Sequence, residues 1–163
     1  MYFSLLDKIE ELVPGKHIVA TKSLSMAEEY LRDHFPNFPV MPGVLMLEAL
    51  TQASAWLVRV SGDFSHSIVL LKEAKGVRYG RFVRPGQTLR IEASMISREN
   101  HLVTVKAEGS LEGKITLKAQ LILECSHIAD CFPQRSYSDE KLIETLKREL
   151  SLLWADYRRG DFE

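Results

Sequence analysis

Only two cysteines occur in the chain, Cys125 and Cys131. Their spacing fits neither a zinc ligand set nor a disulfide framework, which points to a reducing compartment where both thiols are buried or idle. A strong net charge is also missing. With 21 Lys and Arg against 22 Asp and Glu, the net charge of −1 excludes a general attraction to nucleic acid or anionic membrane and leaves only local patches. No apolar run is long enough to span a bilayer: the greasiest stretch, Val44 to Leu50, is interrupted by Glu48, and the N-terminal MYFSLLDKIEEL carries acids where a signal peptide needs an uncharged core. Repeats and low-complexity segments are absent too. These absences lead us to expect a cytoplasmic protein that needs no metal or cofactor and binds neither nucleic acid nor membrane.

What is present is enough for one packed domain, since 163 residues with 45% hydrophobic content fall in the usual single-domain range. From Phe64 onward the hydrophobic pattern has period two. Leu89, Ile91, Ala93 and Met95 alternate with Arg90, Glu92 and Ser94, and Ile115, Leu117, Ala119, Leu121, Leu123 and Cys125 share one face of a later strand. Glu112-Gly113 marks a hairpin turn after Leu102 to Leu111, while Pro85-Gly86 and Glu99-Asn100 supply the other turns of an antiparallel meander. Upstream, Pro14-Gly15 ends a first segment and Lys16 to Leu24 is β-rich, so a hairpin is expected there.

Gly43 to Val60 differs. It has no internal Gly or Pro and few polar side chains, so it reads as a helix buried on nearly all sides. One buried helix followed by antiparallel strands predicts an α+β domain with a sheet wrapped around that helix. We expect this domain over residues 1–130, with residues 131–163 as a helical extension packed on it or on a partner subunit. In that extension Ser136 or Ser138 can cap a helix whose apolar stripe is Leu142, Ile143, Leu146, Leu150, Leu153, Trp154 and Tyr157.

The segment HFPNFPVMPGVLMLEALTQ, residues 34–52, carries the candidate chemistry. Pro36, Pro39 and Pro42 leave the loop from Asp33 to Met41 few conformers, so its side chains are held still. Pro42-Gly43 starts the helix, and the N–H groups of Gly43, Val44 and Leu45 are expected to lack intrahelical partners at the positive end of the dipole, where they suit a carbonyl or enolate oxygen. Glu48 lies among Leu47, Ala49 and Leu50, where desolvation should raise its pKa and keep it a proton donor. Gln52 is one turn further on the same face and within reach of it. A histidine base and a carboxylic acid near a helix N-terminus suit removal of a proton beside a carbonyl and of a hydroxyl beyond it. Read singly, His34 could be a structural hydrogen-bonding residue and Glu48 the partner of an arginine such as Arg59.

The run HFPNFPVMPGVLMLEALTQA resembles the signature HFPGxPVMPGVLxxEAMAQ of the 3-hydroxyacyl-[acyl-carrier-protein] dehydratases of bacterial fatty acid synthesis. LLDKIEELVPGKHIVATKSLS is similar to that family's first hairpin and VRYGRFVRPGQTL to a later strand and turn, so the resemblance spans roughly residues 3 to 125. It implies a hot-dog fold, with His34 removing the C2 proton of a (3R)-3-hydroxyacyl thioester and Glu48 protonating the departing hydroxyl to give a trans-2-enoyl thioester. It further implies that the Gly43 N–H binds the thioester carbonyl, the Val40 carbonyl holds the His34 ring, and Gln52 supports Glu48. Glu48 in place of aspartate suggests the non-isomerising branch. In that family the histidine and the acid of one site come from two subunits of a homodimer, and dimers assemble into trimers of dimers.

The implied partner is an acidic acyl carrier protein presenting its acyl group on a phosphopantetheine arm, and Arg78, Arg81 and Arg84 are the candidate docking cations. Asp33 and Asn37 stand where the family has glycines, the family's N-terminal helix is missing, and the helix from about 138 to 158 is additional. Two other readings share the fold: a hot-dog thioesterase that activates water on the carbonyl, and a non-catalytic acyl-binding protein.

Overall fold

The computed structural model describes residues 3–132, 134 and 136–159, with nothing to be said of the side chains of Cys131, Ser136, Arg158 and Arg159. A hairpin comes first, β1 (Lys8–Val13) and β2 (His17–Ser23). A 3-10 turn over Glu29–Arg32 and a proline-rich loop lead into the long helix α1 (Gly43–Ser61). Four longer strands follow, β3 (Ile68–Tyr79), β4 (Thr88–Glu99), β5 (Leu102–Leu111) and β6 (Lys114–Ser126). The chain continues through a short helix α2 (Ile128–Cys131) to α3 (Ser136–Leu153).

All six strands form one antiparallel sheet in the order β1-β2-β4-β5-β6-β3. The α+β hot-dog arrangement expected from the sequence is therefore present, with α1 lying against the sheet and α3 added outside it. Only β4, β5 and β6 form a meander. The turn at Pro85-Gly86 does not join neighbours, because β2 and β5 already occupy both edges of β4, so β3 pairs with β6 at the far edge of the sheet. The expected face of β6 also needs one correction. Leu117 to Cys125 alternate inward, but a register shift between Gly109 and Ser110 turns Ile115 outward, 54% exposed, and buries Thr116 instead.

The middle of the sheet is lined by small residues. Ala93 faces Ala107, which faces Ala119, and all three are buried. One residue pair along, a Cβ on Gly109 would stand 3.4 Å from a Leu50 methyl and 3.0 Å from a Leu89 methyl. This trough allows α1 to approach closely, and Met46, Leu50, Ala53 and Leu57, which share one stripe of the helix, are fully buried. Val44 is the exposed exception near the helix start.

Helix α3 ends at Leu153 rather than near residue 158, and a 3-10 turn follows over Asp156–Arg159. Of the expected stripe, Leu146, Leu150, Leu153 and Trp154 are buried, while Leu142, Ile143 and Tyr157 are partly covered. Of the two expected caps, the Ser136 side chain lies outside the described residues and Ser138 falls within the helix. The same holds for the Cys131 thiol, whereas the Cys125 thiol is buried and its pKa is raised by desolvation.

A buried carboxylate anchors the start of α3. Asp139 accepts hydrogen bonds from the Ser67 hydroxyl, from Ile128 N–H at 2.7 Å and from Ala129 N–H at 3.0 Å. Burial alone would raise its pKa, but these three donors, aided by the charge of His127, outweigh it and hold the carboxyl below its ordinary value. A depressed folded pKa means that the anchor stabilises the fold fully above the unfolded value, about pH 4, and loses its effect as the pH falls through the lower folded value. Asp139→Asn is expected to lower the melting temperature at pH 7, and the gap to wild type should narrow as the pH falls below about 4. A gap that stays constant with pH would remove the anchor from this account.

Candidate active site

The loop carrying His34 is fixed at both ends and across its middle. His34 N–H donates to Tyr30 O at 3.1 Å, Val40 N–H to His34 O at 3.0 Å, and Met41 N–H to Val83 O at 2.9 Å. Phe35 and Phe38 exchange both backbone hydrogen bonds, at 3.1 and 2.9 Å. Val40 and Met41 are buried and anchor the loop to the core. The loop's entry is held by Lys22, a buried lysine on β2 whose ammonium lies 2.6 Å from the Glu28 carboxylate and 3.7 Å from that of Asp7. Sequence reading missed this clamp. Its signal was a lysine at an inward position of a period-two strand, which needs an acid if it is buried.

Within the loop, His34 Nδ1 lies 3.0 Å from Val40 O. A carbonyl can only accept, so this bond requires the proton on Nδ1 and leaves Nε2 of the neutral ring with its lone pair available. The Phe35 ring stacks on the imidazole, with centroids 4.2 Å apart. The expected contact between the Val40 carbonyl and the ring is therefore present.

At the start of α1, Leu45 and Met46 N–H both donate to Pro42 O, at 3.0 and 3.1 Å. The expectation of three open donors is thus too large. Only Gly43 and Val44 N–H lack a protein acceptor among the described residues, because the first turn tightens into an i to i+3 bond that takes up Leu45. Gly43 is needed for a close approach of another kind: a Cβ there would stand 3.0 Å from Cε1 of the Tyr79 ring.

Glu48 opens onto a cleft of about 520 Å³ rather than into the packed core. One face of α1 lines it through Glu48, Gln52, Ala55, Trp56 and Arg59, and β3 closes the side with Val69 to Leu71. Gln52 links three partners. Its Nε2 donates to Glu48 Oε1 at 2.9 Å and to Phe3 O at 3.1 Å, and its Oε1 accepts from Leu5 N–H at 2.9 Å. This orients the Glu48 carboxyl and ties it to the chain's first residues. His34 is not among the residues lining the cleft, so a single chain does not bring these two candidate residues together there.

The three arginines are exposed but not gathered into one patch. Arg84 lies over the Phe38 ring at 4.8 Å, beside the His34 loop, and Phe38 meets Phe82 edge-on. Arg78 instead lines a separate groove on the sheet with Lys75, Lys106 and Lys118. Arg81 contributes its carbonyl to the Thr116 hydroxyl. Among the described residues no cluster of His, Cys, Asp and Glu could hold a metal ion, and no helix is long and apolar enough to cross a membrane.

The model of the FabA-like domain matches residues 1–120. The 3-hydroxyacyl-[acyl-carrier-protein] dehydratase FabZ of Pediococcus pentosaceus is 37% identical over 116 residues, covering 71% of this chain and 78% of the relative. The protein of the same name from Janthinobacterium sp. is 36% identical over 132 residues, covering 79% and 85%. Among solved structures, the dehydratase heterocomplex ApeI:P from Xenorhabdus doucetiae superposes with a TM-score of 0.64 at 16% identity, over 82% of this chain and 90% of that one, which is a likeness of fold. Half-exposed histidine loop, carboxylate-bearing buried helix and sequence likeness converge: the chain belongs to the FabA-like family, with FabZ-type dehydratases of fatty acid synthesis as its relatives.

Proposed function

We propose that this protein dehydrates (3R)-3-hydroxyacyl thioesters of an acyl carrier protein to trans-2-enoyl thioesters, with His34 as base and Glu48 as acid. The observation that carries the reading is the Nδ1 bond from His34 to Val40 O, which presents Nε2 as the proton acceptor. Nε2 takes the C2 proton while the Gly43 N–H, at the positive end of α1, stabilises the negative charge on the thioester oxygen. The electron pair of the C2–H bond forms the C2–C3 double bond. The C3–O bond breaks, and the hydroxyl leaves as water with the proton of Glu48, whose carboxyl Gln52 orients. Proton transfer from the imidazolium to the carboxylate through water resets both groups. The glutamate fits the non-isomerising branch, which ends at this alkene.

Because the Glu48 cleft lacks His34, the working site takes the histidine from a second copy, as in a homodimer. The outer edge of β3, with Leu70 and the helix-start Val44 exposed, is the surface we assign to that pairing, and trimers of such dimers follow the family. The carrier protein is placed at Arg84, beside the His34 loop, with Arg78 and Arg81 further along the same stretch. A cytoplasmic location follows from that partner.

His34→Ala is expected to abolish enoyl formation, monitored by mass spectrometry of the carrier-bound product, with the circular dichroism spectrum retained. Full activity in the purified variant would refute the assignment, and free acid as product would mark a thioesterase. Glu48→Gln keeps the shape but supplies no proton, so dehydration should fall by roughly 10²-fold or more. Gln52→Leu leaves Phe3 O, Leu5 N–H and Glu48 without their partner, which should cost about 1–3 kcal/mol in urea denaturation and lower kcat as well.

A further inference from the structure

The His34 loop hangs between two anchors of different kinds. Its exit is fixed by the core, since Val40 is fully buried and Met41 N–H donates to Val83 O at 2.9 Å. Its entry depends on the 3-10 turn Glu29–Arg32, whose Tyr30 carbonyl accepts the His34 N–H at 3.1 Å. Leu31 and, in part, Tyr30 seat that turn on the core. Apolar burial is non-directional, so it holds the turn down without fixing its rotation.

The directional contact is the Lys22–Glu28 pair. Lys22 stands on β2, which is paired with β1 on one edge and β4 on the other and so gives a rigid reference. Its side chain is only 7% exposed, and its ammonium lies 2.6 Å from the carboxylate of Glu28. Glu28 precedes the turn, and its carbonyl accepts the Leu31 N–H at 3.1 Å. Asp7, at 3.7 Å and half exposed, is a second and looser carboxylate, itself held by the Ser23 N–H at 2.6 Å. Tyr30 completes the cluster: burial first and the Glu28 charge second push its phenol well above the ordinary value, so it stays neutral. One buried cation thus faces two carboxylates, and the charge-assisted bond to the nearer one is strong and directional. Loss of Lys22 would leave Glu28 charged and unpaired at a largely buried position. Its relief is to swing out to water, which moves the start of the turn.

We propose that Lys22 is a positioning residue for the base: its pair with Glu28 fixes the turn that carries His34 and so keeps the imidazole on Val40 O, with Nε2 as the open nitrogen. The two ends of that 3.0 Å bond belong to the two anchors. Val40 moves with the core and His34 with the turn. The backbone bond from Val40 N–H to His34 O keeps the two residues close. The ring bond asks more, because it also needs the Cα–Cβ direction of His34, which follows the peptide that Tyr30 O holds. A neutral imidazole released from an acceptor at Nδ1 prefers its proton on Nε2, and that tautomer cannot take up a proton there. The catalytic consequence rests on the dehydratase reading, whereas the effect on the ring does not.

The test reads the His34 ring by nitrogen NMR of the full-length protein labelled at histidine, in alkaline buffer that keeps the imidazoles neutral, with the signal assigned by its loss in His34→Gln. The wild-type ring should carry its proton on Nδ1. Lys22→Met, which keeps an unbranched apolar stem, and Glu28→Ala should each shift the ring toward the Nε2 tautomer at temperatures well below their melting points. Asp7→Asn, which alters only the looser carboxylate, should leave the ring unchanged. On a 3-hydroxyacyl thioester of the carrier protein, Lys22→Met and Glu28→Ala should lower kcat by about tenfold or more with KM little changed. A role in stability alone would lower the melting temperature and leave the tautomer in place, and that result would overturn the proposal. So would a wild-type ring protonated on Nε2, an Asp7→Asn shift as large as that of Lys22→Met, or a shifted tautomer with kcat intact. Should Lys22→Met fail to fold, Glu28→Ala, at the more exposed end of the pair, decides alone. If the wild type dehydrates no 3-hydroxyacyl thioester, the reaction assignment fails and the ring still decides: a tautomer that shifts in both variants supports the clamp, and one that does not rejects it.

Discussion

The close seating of α1 on the sheet is the constraint on which the rest depends. It requires small residues where the helix crosses, and Ala93, Ala107, Ala119 and Gly109 meet that need across three strands. Because the approach is close, Leu50 and Leu57 lose essentially all contact with water, which is the main source of stability for a sheet wrapped around one helix. The same seating fixes what α1 presents elsewhere. Its N-terminus, with Gly43 and Val44 N–H groups left without a protein acceptor among the described residues, follows directly on the His34 loop, and another face carries Glu48 and Gln52 into a cleft.

The site is built by stiffening rather than by depth. His34 is half-buried on a loop held by the paired backbone hydrogen bonds of Phe35 and Phe38, three prolines and the buried Val40 and Met41. Such pre-positioning suits the proposed general base, because a ring that must be ordered during reaction would add entropy to the barrier. On the other side, Gln52 orients the carboxyl of Glu48 while fastening the chain's first residues to the helix. One side chain thus couples the proposed acid to the fold.

Helix α3 lies beyond the matched family domain and still reaches the cleft that holds Glu48. It is joined to the body by a buried carboxylate and a few large apolar side chains. Its contribution to the cleft is part of the lining, through Leu146 and Glu149.

Much of this was legible in the sequence, for a local reason. Period-two alternation, the Glu112-Gly113 turn with both residues at positive φ, and the unbroken apolar run after Pro42 each report on backbone conformation within a few residues. So did the prolines, which announced a stiff loop, and the four-residue spacing that joins Gln52 to Glu48. The chain's own pattern determined the elements, the candidate residues and their nearest contacts. What only the tertiary structure decided were the relations between distant segments: β3 at the far edge beside β6, Ile115 turned outward by a register shift, Leu45 N–H used up in a tightened first turn, the Lys22–Glu28 clamp, and α3 in the lining of the Glu48 cleft. These depend on which edges remain unpaired and which charges meet after collapse, and no spacing along the chain encodes them.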